Sequence, residues 1–240
     1  MGLTCRYNAG FHPLYFMNPL VVITGGSKGI GRAIASRFVA EGFDAVVCAR
    51  SVADVTGSNL LPFAADLGTR AGVESLAEYV QSLNRPVDVL VNNAGVFRPG
   101  QIHNEEEGAF ELQLNTNVAS AYHLTRGLLP GMMARQSGHI FMMGSTASIT
   151  AYTNGGSYCI SKFALLGMSR VLREELKPHG IRVTTLLPGA TLTDSWAGTD
   201  LPAERFMPPE AIADTVWAAY SLPKTVVIEE ILMRPQLGDI

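Results

Sequence analysis

Two hydrophobic rhythms alternate along the chain. Short continuous apolar runs occur at 20–26 ("LVVITGG"), 44–50 ("DAVVCAR"), 87–95 ("VDVLVNNAG"), 138–145 ("GHIFMMGS"), 181–189 ("IRVTTLLPG") and 225–233 ("TVVIEEILM"). Runs of this length, bounded by glycine or polar residues, predict buried strands. Between them apolar residues recur three and four positions apart, as at Ile30, Ile34, Phe38 and Val39. That spacing predicts helices over 29–41, 69–84, about 105–134, 156–177 and 208–221. Apolar strands separated by amphipathic helices imply a parallel sheet covered on both faces. The expected fold class is α/β: a single doubly wound, Rossmann-type domain. The segment between Arg50 and Asp66 is too short and too rich in Gly, Ser and Asn for a full helix, so one crossover helix is expected to be vestigial.

No repeat or linker interrupts residues 18–240, which read as one domain. Residues 1–17 lack the basic start and continuous apolar run of a signal peptide and read as an N-terminal extension, with Met17 just ahead of the first strand. At 240 residues, 47% hydrophobic and 16% charged, the chain can bury a large core and is not a disordered one. A net charge of −3 with no Lys/Arg run argues against a nucleic-acid partner. No apolar stretch reaches the roughly 18 residues that cross a bilayer, so no membrane partner is expected. Three widely spaced cysteines without a Cys-x-x-Cys pair speak against a disulfide framework or zinc site and point to a reducing cytoplasm. No metal is expected, because His103, His123, His139 and His179 lack ligand spacing or a nucleophile partner. "HNEEE" (103–107) reads as a solvated first helical turn, where acids complement the dipole.

The candidate chemistry begins at "TGGSKGIG" (24–31), between the first strand and the first helix. Gly25, Gly29 and Gly31 permit a sharp turn and close approach of a ligand. The exposed amides around Ser27 and Ile30, together with the helix dipole, suit a pyrophosphate. The second run ends at Arg50, where an acid would accept ribose hydroxyls; an arginine fork can instead hold a 2′-phosphate, and Lys28 adds a second cation. The expected cofactor is therefore NADP(H).

"SYCISK" (157–162) places Tyr158 and Lys162 on one helical face. A tyrosine at its ordinary pKa of about 10 is a poor proton source at neutral pH. The Lys162 cation, together with the nicotinamide's own charge in the oxidised complex, is expected to favour the phenolate and lower that pKa. Cys159 points about 100° away around the helix and is assigned to the core.

With these motifs in order, residues 18–240 resemble the short-chain dehydrogenases/reductases. The resemblance implies Asn117, Ser145, Tyr158 and Lys162 as catalytic residues, with Ser145 thirteen positions ahead of Tyr158. It implies that Ser145 hydrogen-bonds the substrate oxygen and that Asn117 holds a water that resupplies the proton. By the same resemblance Asp66 and Leu67 lie against the adenine, and Asn92 and Ala94, with Gly95 in the same "NNAG" motif, beside the adenosine ribose. Tyr158 and Lys162 also contact the cofactor, and "PGATLT", with Pro188, Gly189, Thr191 and Thr193, holds the nicotinamide amide. The phrases "SGHIFMMGS", "SYCISKFALLG" and "VVIEEILMRPQLGDI" resemble bacterial sepiapterin-reductase-like members. That implies a small-molecule carbonyl substrate seated against Trp196 and Met207, with its ketone at Ser145 and Tyr158.

Two other expectations stand beside this one. A 3-oxoacyl-[acyl-carrier-protein] reductase or general ketone reductase is the alternative enzyme, and an acidic carrier would need a basic patch from Arg126, Arg135, Arg170 and Arg173. An NADP(H)-sensing regulator without turnover would be expected to lack Ser145, Tyr158 or Lys162, and all three are present. Surplus apolar residues on 105–134 and 156–177 (Leu124, Leu128, Met132, Leu165, Met168, Leu172) point to a homodimer or homotetramer, since proteins of the resembling family pair through those helices.

Overall fold

The computed structural model describes residues 17–196 and 198–240; the expectation about residues 1–16 lies outside them. The apolar runs become β1 (Leu20–Thr24), β2 (Asp44–Ala49), β3 (Leu60–Ala64), β4 (Val89–Asn92), β5 (Gly138–Met143), β6 (Ile181–Pro188) and β7 (Glu230–Met233). All pair in parallel, in one seven-stranded sheet of order β3-β2-β1-β4-β5-β6-β7. The order reverses between β1 and β4, which opens a crevice at the carboxyl ends of the strands, where open α/β sheets bind ligands.

Helices cover both faces. α1 (Gly29–Ala40) and α6 (Pro209–Ser221) bury Ile34, Phe38, Ile212 and Val216 against one face. On the other face lie α2 (Arg70–Ser82), α4 (Ser120–Arg135) and α5 (Gly156–Leu176), which contribute Leu76, Leu124 and Leu165. A short α3 (Ala109–Leu114) precedes α4. Among the described residues no helix is long and apolar enough to cross a membrane.

Four features depart from the sequence expectations. β3 was not among the expected strands; its Pro62 is tolerated because β3 is an edge, paired only with β2. In agreement with expectation, and so not among the four, no helix crosses from β2 to β3. The helix expected over 105–134 starts only after Gly108, at φ 81°, and its α3 and α4 portions are separated by a π-turn, Asn115–Ala119. Such wide turns are frequent at functional sites, and this one carries Asn117. Glu105 therefore does not open its own helix; its carboxylate accepts from Ser157 of α5.

The surplus apolar residues are the fourth correction. Leu124, Leu128, Met132, Leu165 and Leu172 are core, and Met168 packs against them. Three helices share that face of the sheet, so each buries a wide stripe. The apolar side chains left exposed on these helices are Phe110, Leu112, Tyr122, Ile160, Phe163 and Val171.

Candidate active site

The loops after β1 and β4 are tied together at the crevice. Thr24 Oγ1 accepts the amides of Asn93 and Ala94, each at 2.9 Å, and Asn93 Nδ2 donates to the carbonyls of Thr24 (2.9 Å) and Gly25 (3.1 Å). Gly25 takes φ +64°, and a Cβ on Gly31 would lie 2.3 Å from the Gly25 carbonyl oxygen, so only glycine fits this turn. α1 opens without a side-chain cap or an acid in its first turn, leaving its first amides available to an anion. A ligand-sized turn of backbone donors fits the phosphates of a dinucleotide.

Ser145, Tyr158 and Lys162 converge on a cleft of about 570 Å³ beside this loop, with Ile30, Gly95 and the Pro188–Thr193 segment among its other walls. Ser145 follows β5 and caps a 3₁₀ turn (Thr146–Ser148), accepting the Ala147 amide at 3.1 Å. Tyr158 lies on the first turn of α5 and Lys162 on the second. Lys162 is 5% exposed. Its ammonium donates to the Met143 carbonyl at 2.8 Å and lies 5.6 Å from the centre of the Tyr158 ring. Burial lowers the Lys162 pKa to about 8.

The electrostatics correct one expectation. Burial pushes the Tyr158 phenol above its ordinary pKa; a hydrogen bond with Ser145 opposes the rise, and the neighbouring Cys159 adds to it. No lowering by Lys162 contributes in the protein alone. The physical reason is that burial brings the Lys162 pKa down to about 8, so the lysine is already neutral in the higher range where the Tyr158 phenol ionises. Cys159 is buried, as its place on the helix suggested.

Asn117 couples three elements. Its Oδ1 accepts the Val96 amide at 2.8 Å, and its Nδ2 donates to the Val96 carbonyl (3.0 Å) and to Ser161 Oγ (2.9 Å). Ser161 Oγ in turn donates to the Tyr158 carbonyl at 2.7 Å. The side-chain amide of Asn117 thus links the cleft loop after β4 to the helix of Tyr158.

Several expected residues lie elsewhere. Met207 is 8% exposed, packs in the α1/α6 core and does not line the cleft; only its backbone, bonded to Ala190 and Leu192, supports the cleft-side loop. The Asn92 side chain donates to Thr125 Oγ1 at 2.9 Å inside the core, so Asn93, not Asn92, faces the glycine loop and lines the cleft. The Leu67 side chain is likewise core, which leaves only its backbone for an adenine. Asp66 is exposed, with Oδ1 accepting from the Gly68 amide at 3.0 Å. Ala94 contributes its amide to Thr24. Arg50 is exposed just past β2. The Lys28 ammonium reaches the carboxylate of Asp194 across the mouth of the cleft.

Trp196 lines the cleft and also packs on Phe206, with ring centroids 5.0 Å apart. Among the further lining residues that sequence reasoning missed are Phe97, whose ring meets Tyr158 edge-on at 4.9 Å, Tyr152, and Asp239. Asp239 is held by Arg234 at 2.7 Å, folding the last residues back beside Gly189. Nothing local marks these residues, because separate loops bring them to the cleft.

Comparison with known proteins agrees with this geometry. A family model described as short chain dehydrogenase matches residues 19–202. Sepiapterin reductase of Chlorobaculum tepidum is 35% identical over 241 residues, covering 93% of this chain and 99% of that protein. The NADP-dependent 3-hydroxy acid dehydrogenase YdfG of Salmonella typhi is 32% identical, covering 90% and 94%. The solved closed form of serine dehydrogenase complexed with NADP+ superposes with a TM-score of 0.83 at 28% identity, over 92% of this chain and 96% of that one. The matched span runs from the glycine turn through the Ser145–Tyr158–Lys162 cleft to the loop beyond β6, and the chain belongs to the short chain dehydrogenase family.

Proposed function

We propose that this protein is an NADP(H)-dependent carbonyl reductase, acting in reverse as an alcohol dehydrogenase, with a planar keto compound of the sepiapterin type as its substrate. The observation that carries the proposal is the convergence of Ser145, Tyr158 and Lys162 on one cleft beside the glycine turn. Support for the cofactor comes from the glycine turn, from Arg50, and from NADP in the names of the similar dehydrogenases. The amides of Ser27–Gly31 would hold the pyrophosphate, Arg50 the 2′-phosphate, the Asp66–Leu67 backbone the adenine, Ala94 and Gly95 the adenosine ribose, and Pro188–Thr193 the nicotinamide amide. Lys28 would exchange Asp194 for the 2′-phosphate. The chemistry such a cofactor supplies is hydride.

The chain's own residues do the rest. The Ser145 hydroxyl hydrogen-bonds the substrate oxygen and polarises the carbonyl. Tyr158, kept protonated at neutral pH by its burial, donates its proton to the developing alkoxide. Lys162, protonated below pH about 8, places a positive charge near the phenolate that remains. Because the Asn117 side chain is fully engaged, a water relay at this position would start from its backbone carbonyl.

Phe97, Tyr152 and Trp196 give the cleft aromatic walls, which suit a planar ring. Among the described residues, Lys162 and Asp239 are the charged side chains that line the cleft, and Lys162 is engaged with Met143, so a substrate carboxylate finds no arginine among them. Support against an acidic carrier comes from the engagement of three of the four arginines: Arg170 and Arg173 pair with Glu230 and Glu229, and Arg135 bonds the Val87 carbonyl. The exposed Phe110, Ile160 and Phe163 support a homo-oligomer joined through α3–α5. The test is NADPH oxidation with sepiapterin, 2,3-butanedione and an acetoacetyl thioester side by side. Turnover of the thioester without turnover of sepiapterin refutes the substrate, and no turnover of any carbonyl with intact NADPH binding favours a sensor.

A further inference from the structure

We propose that Glu105 is a positioning residue for the general acid. Its carboxylate holds the first turn of the helix that carries Tyr158 and locks that turn to the loop forming the facing wall of the cleft. The inference rests on Tyr158 being the acid. Helix α5 begins without a cap of its own, since Gly155 offers no side chain and the first turn contains no acid. Four helical amides at such an end need partners, and a carboxylate placed there meets both the amides and the dipole. Glu105 supplies it from 52 positions away: Oε1 accepts the Ser157 amide at 2.6 Å, and Oε2 accepts the Ser157 hydroxyl. Ser157 is 1% exposed and immediately precedes Tyr158.

The surroundings are built for this carboxylate. A Cβ on Gly156 would lie 2.0 Å from Glu105 Oε1, and a Cβ on Gly100 would lie 2.5 Å from Glu105 Cγ. Two glycines therefore make the space in which the acid lies flat against the helix end. Glu105 is half-buried, whereas His103, Asn104, Glu106 and Glu107 around it are exposed. The same contact zippers the two strands of loop together, through the Gly100 amide on the Asn154 carbonyl at 3.1 Å and Gln101 Nε2 on Asn154 Oδ1 at 3.2 Å. Upstream in that loop Phe97 rests its ring on Tyr158. Glu105 thus sets the register between the acid and the wall against which the substrate lies, while touching neither substrate nor cofactor.

A positioning role predicts an effect on turnover and not on cofactor affinity, because the glycine turn and α1 are remote from this contact. Glu105→Ala is expected to lower kcat, counted per NADPH-binding site by fluorescence titration, about ten- to a hundredfold, as small misplacements of a reacting group do. KM for NADPH should stay within about twofold, since no group that would hold the cofactor is changed. Glu105→Gln keeps the length and an acceptor for the Ser157 amide, so it should recover most of the loss. Ser157→Ala, which keeps the amide and removes the hydroxyl, should fall between wild type and Glu105→Ala. Unchanged kcat per binding site in Glu105→Ala, with only a lower melting temperature or fewer folded sites, overturns the inference. If Glu105→Ala fails to fold, Ser157→Ala carries the same test: wild-type kcat per site in that variant overturns it. Tyr158→Phe is the control for the underlying assignment. Near-normal turnover in that variant discards Tyr158 as the acid, whatever the Glu105 series shows.

Discussion

Lys162→Met should make the protein more stable at pH 7 while abolishing its turnover. The lysine is 5% exposed, and burial lowers its pKa from 10.5 to about 8. At about 1.4 kcal/mol per pH unit, holding it charged in the folded state at pH 7 costs about 3 kcal/mol relative to the unfolded chain. Methionine keeps an apolar stem of similar length but leaves the Met143 carbonyl without its donor, a loss of about 1–2 kcal/mol. The net expectation at pH 7 is a gain of about 1–2 kcal/mol, or about 2–8 °C in Tm for a chain of this length.

The sign with pH follows from the direction of the shift. Above pH about 8 the folded lysine is neutral while the unfolded one still binds a proton, so the wild type gains stability as pH rises from about 8 towards 10.5. At pH 9 the penalty is down to about 2 kcal/mol, so the advantage of the variant should shrink by about 1 kcal/mol between pH 7 and 9. Urea unfolding of both proteins at the two pH values, at one protein concentration, measures this difference while other titrating groups cancel. A stability difference that does not move with pH would refute a buried, strained Lys162 cation.

Tyr158→Phe should retain NADPH binding by fluorescence titration while turnover falls about 10²- to 10⁴-fold, the range for loss of a general acid. Arg50→Asp should abolish or reverse a preference for NADPH over NADH of tenfold or more, since one charge-assisted hydrogen bond contributes about 1.5–3 kcal/mol; equal use of both cofactors by the unmutated protein would count against the 2′-phosphate assignment. Trp196→Ala should raise KM for sepiapterin more than it lowers kcat, as removal of uniform binding does, and steady-state kinetics will show whether it does. Phe163→Glu, which puts a charge in the centre of the exposed apolar face of α5, should shift a homo-oligomer to monomer in light scattering; an oligomer unchanged by the substitution would move the interface elsewhere.

Six of the seven strands, the alternation of strand and helix, the glycine turn and the Tyr158–Lys162 pairing were legible in the sequence alone. They rest on local periodicity: a buried parallel strand is apolar on both faces, and residues four apart share a helical face. The family resemblance drew on the same short segments, which is why it placed Ser145, Tyr158 and Lys162 in one cleft without knowledge of the fold.

What the sequence could not decide is which way each side chain faces and which distant segment it meets. Met207 and Leu67 lie next to cleft-side backbone yet send their side chains into the core, and Asn92 and Asn93 differ by one position and face opposite ways. Leu124 and Leu165 read as surplus until three helices on one sheet face required them. Glu105 looked like the first turn of its own helix because its partner, Ser157, is 52 positions away. The pKa of Tyr158 likewise follows from how deeply the assembled cleft desolvates it and from its hydrogen bond with Ser145. Local patterning sets backbone form, because its forces act within a few residues. Facing, desolvation and long-range partnership arise only when the sheet brings separate loops to one edge.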